Sequence, residues 1–75
     1  MLKPFEKLKE IPKLLKYSKY LVESNYLSVD KSHSILQECS VYADKFRHSD
    51  NIRESECAQA ALNDLKEFSR WLRKR

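Results

Sequence analysis

Residues 51–73 read NIRESECAQAALNDLKEFSRWLR, and this stretch decides the fold. Ala58, Ala61, Leu65, Phe68 and Leu72 recur at steps of three, four, three and four, so they share one line along an α-helix. Leu62 and Trp71 widen that line into a stripe. Asn51, followed three residues later by Glu54, forms a capping box that predicts a helix over residues 52–73. Basic residues collect at its end, where the helix dipole favours cations.

Upstream, Ile35, Cys39, Tyr42 and Phe46 step by four, three and four, with Leu36 and Ala43 alongside. This predicts a helix over residues 31–48, capped by Asp30 or alternatively Ser28. The link Ser49-Asp50-Asn51 is short, so the two helices fold back as an antiparallel hairpin. The first segment is less regular. Pro4 suits a first helical position, but Pro12 disfavours helical geometry at Ile11 and removes a backbone donor. The expectation is a turn over residues 4–10, a break or kink, and a helix over 12–23. Leu14, Leu15, Leu21 and Val22 are its expected apolar face, and Asn25 can end it in a left-handed conformation without glycine.

The fold class that follows is all-α. A short kinked N-terminal helix plus an antiparallel two-helix hairpin make one domain over residues 1–75, as a three-helix bundle or a helical homo-oligomer. Seventy-five residues bury only about 60% of their unfolded surface, so the core is small. Three Phe, four Tyr and one Trp are many for such a core, which favours sharing surface between copies. Ile35, Cys39, Tyr42, Phe46, Ala58, Ala61, Leu65, Phe68, Trp71 and Leu72 are thus the expected core or oligomer seam.

The chain has no glycine, which excludes Gly-rich phosphate loops and the dinucleotide fingerprint. His33 and His48 lie at opposite ends of one expected helix and cannot share a metal. Glu54 and Glu56 are two apart and face different directions. The expectation is no enzyme, no metal and no cofactor. No apolar run approaches the roughly 20 residues of a membrane span. Lysine recurs too often near the N-terminus for a signal peptide, so a cytoplasmic location is expected. There Cys39 and Cys57 stay free thiols that pack as small hydrophobes.

The net charge is +4, and its distribution says more than its total. Two basic ends flank an acidic middle, a pattern that attracts phosphate-bearing partners or simply solvates helix faces. On the first helix Lys13, Lys16, Tyr17, Lys19 and Tyr20 set ammonium groups beside aromatic rings. Lysine neutralises phosphate, and a tyrosine ring stacks on a base, so these are candidate ligand-binding residues. Arg53 is a separate candidate, because a cation in a first helical turn opposes the dipole and suits an anionic ligand.

A pattern in the last helix adds to this. Arg53-Glu54 is followed by Ala58, then Leu62, then Phe68. With a short helix and a long hairpin, it resembles the small phage proteins that sequester cyclic-oligonucleotide signals of bacterial antiphage immunity. The tail from Trp71 to Arg75 differs from the small-residue, Asn-rich end of that family. The resemblance implies a non-catalytic homo-oligomer that holds a cyclic oligonucleotide at an interface between copies, with Arg53 the one residue carried over. Two other functions fit the residues. One is a protein–protein interaction module, a small regulator or inhibitor using an exposed helix face. The other is a basic nucleic-acid-binding accessory protein.

Overall fold

In a computed structural model that describes residues 4–74, with side chains from Glu6 to Lys74, the last helix is the central element. Lys3 and Arg75, which belong to the two basic ends, lie outside the described residues. The chain runs as α1 (Pro4–Glu23), α2 (Val29–Phe46) and α3 (Ile52–Arg73), an all-α bundle of three helices. Its extents are 39 × 24 × 15 Å. Helix α3 packs against both neighbours, whereas α1 and α2 meet each other far less.

Helix α3 begins where its cap predicts. Asn51 is extended at φ −79°, and its Oδ1 accepts from the N–H groups of Arg53 (3.0 Å) and Glu54 (3.3 Å). The capping box closes through a relay: the Asn51 N–H donates to Ser49 Oγ (3.1 Å), and that hydroxyl donates to Glu54 Oε1 (3.0 Å). Ala58, Ala61, Leu65, Phe68 and Leu72 are all buried within one chain, and Trp71 is half-buried beside Phe68. This seam lies in the core of the single chain.

The expected break at Pro12 does not occur, and the first helix is not short. Helix α1 runs unbroken for 20 residues with Pro12 inside it. Its buried line is Leu8, Ile11, Leu15, Ser18 and Val22, again at steps of three and four, and it crosses the proline. Proline inside a helix costs roughly 3 kcal/mol relative to alanine. Burying Leu8 and Ile11 before it and Leu15 after it offsets that cost, since each contributes roughly 1.5–3 kcal/mol. The line is continuous across both expected pieces, and Leu14, expected inside, is exposed.

Helix α2 also shifts against its expected range of 31–48. It spans Val29–Phe46 because Ser28, not Asp30, is the cap: Ser28 Oγ accepts from the Lys31 N–H at 3.1 Å. Asp30 falls in the first turn, where its carboxylate meets the positive dipole end. Of the expected line Ile35, Cys39, Tyr42 and Phe46, the last three pack partly buried against the core together with Leu36, while the fully buried positions are Ser32 and Ala43. Small Ser32 and Ala43 let α2 lie close to α3, and Ile35 is half-buried beside them. Ser32 is fully buried and its Oγ has no hydrogen-bond partner. Asn25 takes φ 64° as the spacing predicts. The N–H groups of Asn25 and Tyr26 donate to Val22 O (3.1 Å) and Leu21 O (2.9 Å), a Schellman motif built without glycine.

Candidate anion-binding face

With one stripe of α1 turned inward, the opposite stripe faces solvent. It carries Lys9, Lys13, Lys16 and Tyr20 at steps of four, three and four, with Tyr17 beside them. Tyr17 is 61% exposed and Tyr20 63%, so neither ring serves the core boundary. Each lies one turn after a lysine, Lys13 before Tyr17 and Lys16 before Tyr20, within side-chain reach on a helix surface. Lys13 Nζ stands 3.9 Å from Glu10 Oε1, with both side chains largely in water. Exposed pairs of this kind are worth about 0–1 kcal/mol, so Lys13 stays available to a stronger anion.

Two of the expected site residues stand elsewhere. Lys19 turns toward α3, where its Nζ lies 5.2 Å from the centre of the Trp71 ring. Lys16 and Lys19 form one wall of a groove of about 230 Å3 whose other wall includes Asp64 and Glu67. A phosphate entering that groove meets two carboxylates, so the groove itself is a poor anion site. Arg53 lies in the first turn of α3, and Trp71 is eighteen residues further on, about 27 Å along the axis. The structure therefore brings together Lys13, Lys16, Tyr17 and Tyr20, with Lys19 at the edge, and leaves Arg53 at the far end.

Two further features escaped the sequence reading. Between α1 and α2 runs a groove of about 380 Å3, floored by Ile11, Leu14, Cys39 and Tyr42 and rimmed by Lys7, Glu10 and Glu38. Lys7 Nζ sits 5.1 Å from the Tyr42 ring centre. Burial, and secondarily the adjacent Glu38 carboxylate, push the Cys39 thiol above its ordinary pKa of 9.0. Both cysteines are free and half-buried. The second feature is a row of cations on α3, Lys66, Arg70 and Arg73, spaced by four and three, which does more than complement the dipole because Lys66 lies outside the last turn.

His33 and His48 are exposed, and among the described residues no three His, Cys, Asp or Glu side chains group as metal ligands. No helix among the described residues is long and apolar enough to cross a membrane. No known protein family, characterised protein or solved structure matches the chain.

Proposed function

We propose that this protein is a non-catalytic cytoplasmic binder that captures a phosphate-bearing ligand on the outer face of α1 and withholds it from use. The observation that carries the reading is the exposure of Tyr17 and Tyr20 one turn after Lys13 and Lys16. An exposed ring costs hydration and contributes nothing to the core, whereas beside an ammonium it offers a stacking surface next to a phosphate contact. A cyclic oligonucleotide combines bases and phosphates in one small molecule, and it is the ligand the Arg53–Phe68 pattern implies. One such face is open on its outer side, so two copies set face to face would enclose the ligand. Capture is stoichiometric: inhibition scales with protein concentration and the ligand is recovered intact.

Calorimetry of the full chain against cyclic di- and trinucleotides, at low and physiological salt, tests this. The expected result is saturable binding that weakens with salt, less steeply than for duplex DNA because fewer phosphates are engaged. Lys13→Gln with Lys16→Gln should abolish it while shifting stability by less than about 0.5 kcal/mol. No nucleotide affinity at low salt contradicts the reading. The α1–α2 groove favours a second reading, a protein-interaction module in which a partner helix fills the gap over Leu14, Cys39 and Tyr42. That reading predicts a partner lost on Leu14→Glu and no nucleotide binding.

A further inference from the structure

Lys66, Arg70 and Arg73 stand four and three residues apart on α3, which puts three cations on adjacent turns of one helix face. All three are exposed, and with half-buried Ser69 they line a shallow groove of about 220 Å3 that contains no acidic side chain. Some cations are engaged within the chain, Lys13 with Glu10, Arg47 with Asp44, Lys7 over Tyr42 and Lys19 over Trp71, while Lys16, Lys31 and Lys45 on the other helices stand singly without such a contact among the described residues. Among the described residues Lys66, Arg70 and Arg73 make no such contact. Like charges at these spacings repel. The helix dipole compensates only in the last turn, which holds Arg70 and Arg73 and leaves Lys66 one turn further in. An external polyanion would relieve the repulsion.

The shape of the row narrows that polyanion. It extends about 10 Å along α3, seven residues at 1.5 Å each, too long for one phosphate and suited to several in sequence. The two guanidinium forks match phosphate oxygens bidentately, and Ser69 Oγ adds a neutral donor. Membrane insertion is disfavoured, because the only exposed large apolar residue of α3 is Ile52, at the opposite end. Base reading is disfavoured too, since Phe68 and Trp71 line the α1 side. We propose that Lys66, Ser69, Arg70 and Arg73 form a docking strip for a run of consecutive phosphates, recognised by charge and not by bases. Such a run comes from a nucleic-acid backbone or from inorganic polyphosphate. The strip lies on a different helix from the α1 face and stands independently of it.

The test is fluorescence anisotropy of labelled oligothymidylate titrated with the full chain across a salt series, with inorganic polyphosphate as competitor and as a ligand in separate calorimetry. The triple variant Lys66→Gln, Arg70→Gln, Arg73→Gln should lose at least tenfold in affinity and flatten the logarithmic salt slope by about 2 (about 0.7 per phosphate contact). It should melt no lower than wild type, which separates lost binding from lost folding. A charge-matched control on the α2 side, Lys31→Gln, Lys45→Gln, Arg47→Gln, should keep most of the affinity and the slope. Lys13→Gln with Lys16→Gln should keep it as well, so this proposal and the α1 reading fail separately. Competition by polyphosphate, or binding of polyphosphate alone lost in the triple variant, supports the strip and assigns the inorganic chain. Oligothymidylate binding without competition supports it and assigns the nucleic-acid backbone. Equal losses in the triple variant and the control, or no binding of either polyanion at low salt, overturn the strip.

Discussion

The α1–α3 and α1–α2 interfaces use the same helix and come out differently. Against α3, the aliphatic line Leu8, Ile11 and Leu15 meets Leu65, Phe68 and Leu72, and all six are buried. Against α2, the meeting residues are Leu14, Cys39 and Tyr42, with Lys7, Glu10 and Glu38 at the rim, and a groove remains. Apolar content alone does not separate them, since Leu14 and Tyr42 are large apolar side chains. What separates them is the company those side chains keep: α1 meets α3 through buried aliphatic and aromatic side chains, whereas on the α1–α2 side Lys7, Glu10 and Glu38 must stay in water and so keep the groove open at its rim. Stability is concentrated on one side of the molecule, and the surface open to partners lies on the others.

The largest expected effect breaks the closed side. Phe68→Ala should cost about 3–5 kcal/mol, most of what a domain this size has in hand, and leave the chain unfolded or barely folded in a denaturant titration. Tyr42→Ala, on the open side, should cost about 1–2 kcal/mol and keep a cooperative transition. Equal costs would mean that the α1–α2 interface is as tight as the other. A smaller effect sharpens the account of α1. Because the helix passes through Pro12 without stopping, Pro12→Ala restores a backbone donor toward Leu8 O and should stabilise by about 2 kcal/mol, the helix penalty of proline less the freedom that alanine returns to the unfolded chain. Thermal melting reads this directly, and a destabilised variant would show that the proline ring packs better than an intact helix bond.

That proline also marks where the sequence was hard to read. The seam of α3, its cap at Asn51 and the left-handed Asn25 were legible because each rests on local chemistry or one unbroken period. The line Leu8–Val22 obeys the same period, but the local propensity of Pro12 argues for a break, and only tertiary burial outweighs it. In α2 the period places Cys39, Tyr42 and Phe46 against the core, with Leu36 and Ala43 alongside. What it does not show is Ser32, a polar residue that is fully buried because α2 packs closely there. Of the candidate site, Lys13, Lys16, Tyr17 and Tyr20 were legible as one helix face. Lys19 and Arg53 were not, because the position of Trp71 and the length of α3 are properties of the packed bundle.

The smallest effect probes the open groove through Cys39. Its folded thiol binds its proton more tightly than the unfolded one, so this contribution to stability is fully present below the ordinary value of 9.0 and is lost as pH rises past it. Melting temperatures from pH 8 to pH 10 should fall slightly more steeply for wild type than for Cys39→Ala. Parallel curves would place the thiol in water and the groove wider open than described.

The central claim is that the outer face of α1 binds, and does not merely solvate. Calorimetric titration of Tyr20→Ala and Tyr17→Ala with whichever cyclic nucleotide the wild type binds tests it most directly, with melting measured alongside. If the face binds, at least one of them loses about 1–3 kcal/mol of affinity, the worth of a ring stacked on a base, while both melt within about 0.5 kcal/mol of wild type. Unchanged affinity in both variants, or a loss that tracks a fall in stability, would contradict it.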